Sequence, residues 1–347
     1  MRKIKLFKPF VSWYAVWNTV RALRSGQLAE GPRVKEFERK LEERFGFKNA
    51  VAVNSGTTAL ELAYELANIG EGDEVITPVL TCTATNIPLA RRKATIVFAD
   101  TDRDLNVNVE DVKKKITPKT KAIIFVHFGG NNRGLKELLE IASEKKIILI
   151  EDAAQAICSD FWGKSDFTCV SFQAIKTLTS GDGGLLVCKN DGLYKKAKRL
   201  RWFGYDREEK QRLGDTDLVE VGYKWHMNDI SAAIGLGNLR AFYQVLTHHK
   251  RLMKEYSEGG ITAYPWFAMI LTDKRDDLRN YLKDHGVESN LYHYRNDQYT
   301  IFGGRRKKGE LPIMDEVESK YLLLPLHMGV SVSDVRKICA LVREFNK

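Results

Sequence analysis

The sequence predicts an α/β protein whose larger part is a mostly parallel sheet with helices on both faces, followed by a smaller α+β unit. Two observations carry this. Short apolar runs at Ala50 to Val53, Glu74 to Thr77, Thr95 to Ala99, Ala122 to Val126, Ile147 to Ile150 and Thr168 to Phe172 alternate with stretches of helical spacing, which is how parallel strands and their crossover helices read. At 347 residues the chain is long enough to bury a full core and to divide into a large and a small unit.

Taken in order, Trp13 to Leu23 and Pro32 to Phe45 show apolar positions at helical spacing, separated by the Gly26 to Gly31 turn region. Met1-Arg2-Lys3 opens the chain, but Lys8 and Pro9 interrupt any apolar run and Arg21 and Arg24 follow, so no secretory signal peptide is expected. Asn228 opens a predicted helix toward Leu246, where the large unit is expected to end. Residues 1–246 and 247–347 are then the two units. In the second, Phe267 to Leu271 reads as a strand, and Arg275 to His285 and Ser333 to Phe345 read as helices.

Three places on this frame carry chemistry. Val51-Ala52-Val53 runs into Asn54-Ser55-Gly56-Thr57-Thr58 and then a helical pattern, a strand, turn and helix start suited to a phosphate. Gly56 and Thr57 would lend backbone N–H groups there, the bare Cα of Gly56 allowing close approach. The run ending at Ile150 continues as Glu151-Asp152-Ala153-Ala154-Gln155, which puts an acid at the carboxyl end of a parallel strand, where open α/β sheets bind ligands. Taken alone, Asp152 could equally be a helix N-cap, and if it opens a helix Gln155 faces the same pocket. Val170-Ser171-Phe172 then leads to Lys176 in a loop that closes on Gly181, Gly183 and Gly184 before the apolar run Leu185 to Val187. A lone lysine is ordinarily a surface charge. In this company it completes the set that holds pyridoxal 5'-phosphate: an amine to bond the aldehyde, a carboxylate to keep the pyridine nitrogen protonated, and a helix start for the phosphate.

Ser55-Gly56-Thr57, the Glu151 to Gln155 run, Ser171-Phe172-Gln173-Ala174-Ile175-Lys176 with Gly181-Asp182-Gly183-Gly184, and Met227-Asn228-Asp229 with Ala232-Ala233-Ile234-Gly235 resemble the DegT/DnrJ/EryC1/StrS family of sugar aminotransferases. The likeness extends from Ser25-Gly26 and Gly31-Pro32 to Leu324-Pro325-Leu326-His327. It implies the fold type I aminotransferase architecture, with a seventh strand near Leu185 to Cys188. It implies Lys176 and Asp152 as catalytic residues, and Gly56, Thr57, Cys82, Gln155, Ser171 and Asn228 beside them around the cofactor. In that scheme Gln155 meets the phenolic oxygen, Ser171 adds a hydroxyl to the phosphate, and Asn228 reaches the phosphate of a neighbouring subunit, so that a homodimer shares its active sites. Tyr292, His293, Tyr294, Arg295 and His327 lie where relatives approach the sugar or nucleotide. The implied reaction moves an amino group from glutamate to a nucleotide-linked keto-deoxysugar. A cyclitol or other free keto-ring is the alternative acceptor, and a non-catalytic cofactor-binding protein a third reading.

The chain departs from the family pattern at Cys82, where many members have an aromatic residue stacked on the cofactor ring. The segments from Gln155 to Thr168 and from Glu258 to Trp266 are also short. Some relatives carry histidine in place of the lysine and act as dehydratases, so Lys176 favours transamination.

Composition excludes other classes. The net charge of +10 comes with basic clusters at Lys195-Lys196 with Lys198-Arg199 and at Arg305-Arg306-Lys307-Lys308, but no nucleic-acid module accompanies them, and the first cluster reads as the solvated face of a helix. An anionic nucleotide-sugar is a second reason for positive charge. No run of about 18 apolar residues suggests a membrane span. Five scattered cysteines without a Cys-x-x-Cys pair favour a cytoplasmic setting and no structural metal.

Overall fold

The computed structural model describes residues 3–215, 217–304 and 306–347. Met1, Arg2 and Arg305, used above, lie outside the described residues.

The main sheet has seven strands: β1 (Ala50–Val53), β2 (Glu74–Pro78), β3 (Thr95–Ala99), β4 (Thr120–Val126), β5 (Ile148–Asp152), β6 (Phe167–Ser171) and β7 (Gly184–Cys188). Their order is β1-β7-β6-β5-β4-β2-β3, and only β7 runs against its neighbours. Each of the six apolar runs and the seventh strand near Leu185 thus appears within a residue or two of its expected place. A second sheet follows, β8 (Thr262–Ala263), β9 (Ala268–Leu271) and β10 (Tyr321–Leu324), in the order β10-β9-β8.

The helices are α1 (Trp13–Arg24), α2 (Pro32–Phe45), α3 (Gly56–Leu66), α4 (Thr83–Arg91), α5 (Val109–Lys115), α6 (Leu135–Lys145), α7 (Asp191–Leu200), α8 (Arg207–Leu213), α9 (Asp229–Arg240), α10 (Phe242–Glu258), α11 (Arg275–Asp284), α12 (Pro312–Val317) and α13 (Val332–Phe345). Their ends are written in local chemistry. Pro32 starts α2 and Gly46 closes it at φ 72°. Ser331 and Asp334 cap α13 reciprocally. Of the stretch from Lys195 to Arg201, expected to be helical, Lys195 to Leu200 lies on α7, while Arg201 is its C-cap and is buried.

Strand alternation sends side chains to two apolar layers. Val51, Val53, Leu186 and Cys188 pack with α3 and α7 residues such as Leu62, Tyr64 and Leu200. Ala50, Ala52, Leu185 and Val187 pack on the other face with Phe37 and Leu41 of α2 and Phe242 of α10. The second sheet has its own core, in which Leu322 and Leu324 meet Leu252, Tyr256, Leu282 and Ile338.

Two expectations need correction. The helix from Asn228 toward Leu246 is two helices, because α9 stops at Arg240, Ala241 turns the chain, and α10 continues through residue 246 to Glu258. Nor does Asp152 open a helix. It is the last residue of β5, and the Ala153 N–H that a helix would leave free donates to the Cys169 carbonyl of β6. Among the described residues no helix is long and apolar enough to cross a membrane.

Candidate active site

The parallel strands end on one edge, and a cavity of about 200 Å³ opens there. Its walls include Ser55, Gly56 and Thr57 after β1, Cys82 before α4, Asp152 and Gln155 after β5, Ser171 of β6 and Lys176 in the loop beyond it. A wider cleft of about 1110 Å³ lies by Glu30 and Arg201. Its buried charges satisfy each other: Arg201 pairs with Glu30 and Glu38, and Arg207 with Glu30.

At one end of the cavity Ser55 caps α3 by accepting the Thr58 N–H at 3.0 Å. The Gly56 and Thr57 amides precede it and remain among the unpaired donors of the first turn. A Cβ on Gly56 would lie 2.7 Å from the Ser171 Cβ, and one on Gly184 would land on the Ser55 carbonyl. These two glycines let the turn, β6 and β7 close together.

At the opposite end Asp152 is buried, with its carboxylate fixed from two sides. Thr85 Oγ1 donates to Oδ2 at 2.8 Å and the Ala154 N–H donates to Oδ1 at 3.2 Å. Thr85 in turn bonds the buried Thr81 hydroxyl at 2.9 Å. Burial pushes the Asp152 carboxyl above its ordinary value, against the Thr85 and Ala154 hydrogen bonds and the Lys176 and His127 charges. The neighbouring Glu151 points to the other face of β5. Burial would raise it too, but its 2.8 Å contact with His127 and the Lys164 and Ser165 amides hold it down at about 2.

Lys176 is half-buried and its amine faces inward. Burial lowers it to about 8, opposed by Asp152 and Cys82. Its Nζ lies 4.2 Å from the centre of the Trp266 ring. Cys82 lines the cavity, and burial raises its thiol. Gln155 is tied on both sides: Oε1 accepts the Gly129 N–H at 2.6 Å and Nε2 approaches His293 Nε2 at 3.2 Å. His293 is held near a pKa of about 3 by burial and by Lys176, so it stands opposite Gln155 as a neutral acceptor.

Tyr292 and His293 arrive because the segment that follows them pairs with residues 79–81, just beyond the end of β2. Asn296 donates its N–H to Val79 O at 2.7 Å and its amide to Thr81 O at 2.8 Å. The other sequence candidates lie elsewhere. Arg295 is spent on Asp297, Asp315 and Glu318. Tyr294 is 51 % exposed and does not line the cavity. His327 sits behind it, its Nε2 on the Lys5 carbonyl at 2.9 Å. Asn228 caps α9 through the Ser231 N–H at 2.8 Å and lies outside the cavity of its own chain. Thr85 and Trp266 were not singled out from sequence, since each acts through neighbours distant along the chain.

The profile of the DegT/DnrJ/EryC1/StrS aminotransferase family matches residues 16–343. The spore coat polysaccharide biosynthesis protein SpsC of Bacillus subtilis is 29% identical, over 98% of this chain and 96% of its own. Two solved structures superpose with TM-scores of 0.91: AtS13 of Actinomadura melliaura at 32% identity, covering 99% of both chains, and the sugar aminotransferase CalS13 of Micromonospora echinospora at 29%, covering 98% of this chain and 99% of the other. The chain therefore belongs to the DegT/DnrJ/EryC1/StrS family, and it is a pyridoxal 5'-phosphate-dependent aminotransferase of fold type I.

Proposed function

We propose that this enzyme transfers an amino group from glutamate to a nucleotide-linked keto-deoxysugar, with Lys176 and Asp152 as its catalytic residues. The observation that carries the assignment is the meeting of three groups in one cavity: the Lys176 amine, the buried Asp152 carboxylate and the free amides of α3. Pyridoxal 5'-phosphate, when bound, supplies an electron-withdrawing ring that stabilises the charge left as a Cα–H bond breaks.

The residues present fit it. Gly56 and Thr57 offer N–H groups, and Ser171 a hydroxyl, to its phosphate. Asp152, held by Thr85 and Ala154, would keep the ring nitrogen protonated. Gln155 and Cys82 would border the ring. Lys176 would hold the aldehyde carbon of the cofactor. Its amine, when free, would take the proton from the donor's Cα, a task suited to a group brought to about 8. Tyr292 and His293 flank the space left for the acceptor.

The likeness to CalS13, a sugar aminotransferase, and to SpsC of spore coat polysaccharide biosynthesis supports an amino-sugar product. Residues 1–246 form the cofactor-holding unit in this reading and 247–347 the smaller one, with α10 running across the join. A homodimer is supported by the exposed apolar side of α1, where Trp13 and Trp17 are 79% and 66% exposed. Five unpaired thiols suit a reducing, cytoplasmic setting.

Incubation of the purified enzyme with glutamate and a panel of nucleotide-linked 3-keto and 4-keto sugars is expected to release 2-oxoglutarate and an amino-sugar nucleotide. Turnover confined to free keto-cyclitols would reassign the acceptor.

A further inference from the structure

On the reading above, the amine of Lys176 is bonded to the cofactor at one stage and free at the next. A free ammonium on a four-carbon stem is mobile unless something holds it. Among the described residues no acceptor hydrogen-bonds the Lys176 Nζ and no carboxylate forms an ion pair with it; it lies instead over two ring faces. The Trp266 ring centre is 4.2 Å away and that of Tyr292 5.9 Å.

Trp266 is built to stay still. It is 2% exposed, Phe7 stacks on it at 4.9 Å, and Tyr292 meets it edge-on at 5.0 Å. Its indole N–H points at the carbonyl of Ile175, the residue before Lys176, at 3.4 Å. The ring is thus tied to the backbone that carries the amine above it.

We infer that Trp266 is a positioning residue: its ring face holds the Lys176 ammonium whenever that amine is not bonded to the cofactor, so that the amine moves to and from a fixed place. The assignment rests on Lys176 being the cofactor lysine. A desolvated ammonium over an indole face is attracted by the ring quadrupole. The titratable groups that line the cavity with Lys176 include Asp152 of β5, Cys82 before α4, Asp182 of the same loop, Tyr292 and His293. Burial pulls the amine down to about 8 while Asp152 and Cys82 pull it up, and the ring face adds to the second side. Trp266 does not itself line the cavity; it lies in the small pocket behind Lys176, with Ile175 and His327.

The test uses the full-length chain freed of cofactor, so its readout is separate from turnover. Amine acylation is followed by mass spectrometry against pH at the Lys176 peptide, with exposed lysines such as Lys224 as internal controls. All six tryptophans are replaced biosynthetically by fluorinated tryptophan, which weakens the ring face with little change of shape. The apparent pKa of Lys176 is expected to fall in steps with the number of fluorines, by about half a unit to one unit in total. In Trp266→Phe the same fluorination is expected to leave Lys176 unmoved. No fall in the fluorinated protein overturns the inference, and so does a fall that persists in Trp266→Phe. Should that variant not fold, the first arm decides alone. The underlying reading fails differently: borohydride reduction of the cofactor-loaded protein would then leave no adduct on Lys176.

Discussion

Glu151 and Asp152 are adjacent acids, and the alternation of β5 gives them opposite work. Asp152 faces the cavity with Thr85 on one oxygen, while Glu151 is sealed under residues 163–165 against His127. Asp152→Asn is expected to melt near the wild-type temperature yet lose transamination by orders of magnitude, since an amide cannot hold the ring nitrogen protonated. Near-normal turnover in that variant would leave Asp152 a mere partner of Thr85. Glu151→Gln is expected to behave in reverse. Removing one partner of a buried pair costs about 3–5 kcal/mol, read as a lowered urea midpoint, while the protein that remains folded still binds cofactor. The sequence makes Asp152, Lys176, Gly56 and Gln155 legible because each sits at a strand end or in a glycine loop. Thr85 and Trp266 are illegible there. Asp152 lies 67 positions from Thr85 and Ile175 lies 91 from Trp266, and only the fold joins them.

At the scale of elements, periodicity and caps located the strands and most helices, but nothing at Ala241 announces a break. The residue is neither glycine nor proline, and the turn follows from packing. α9 runs against α1 so closely that a Cβ on Gly237 would strike the Ala15 backbone, and the chain then turns to reach the second core. α10, which follows, carries a titratable group at its centre. His249 is buried, donates Nδ1–H to the Pro265 carbonyl at 2.9 Å, and is held by burial at about 4, with His248 and His327 adding to the effect. A histidine whose folded pKa lies below its unfolded value stabilises the protein fully above about 6.5 and loses that contribution as pH falls toward 4. The total is on the order of 3 kcal/mol. Urea unfolding of the wild type is therefore expected to weaken steadily across that window. His249→Gln should start lower at pH 7.5, by about 1–2 kcal/mol, and show a shallower decline. Parallel slopes for the two proteins would mean that His249 does not titrate with unfolding.

The whole molecule raises the matter of completeness. The cavity of one chain holds Lys176, Asp152 and the turn at Gly56, yet Asn228 is exposed outside it, Tyr294 faces solvent, and α1 presents Trp13 and Trp17 uncovered. A twofold pair would bury the α1 aromatics with one self-complementary surface and could carry Asn228 to the partner's phosphate end. Its side-chain oxygen is engaged in capping α9, so the amide N–H₂ would be the group offered across the interface. Complementation distinguishes a shared site from two independent ones. A Lys176→Ala chain is mixed with an Asn228→Ala chain under conditions that allow subunits to exchange. In the mixed pair, one site receives both lesions and the other receives neither, provided that Asn228 acts on the partner. Transamination is expected to rise above that of either parent, toward one intact site per mixed dimer. If Asn228 served only its own chain, every site in the mixture would keep one lesion and exchange would restore nothing. No gain after exchange has been demonstrated by mass, or full activity in a monomer, would remove the shared site from the proposed function while leaving Lys176 and Asp152 in theirs.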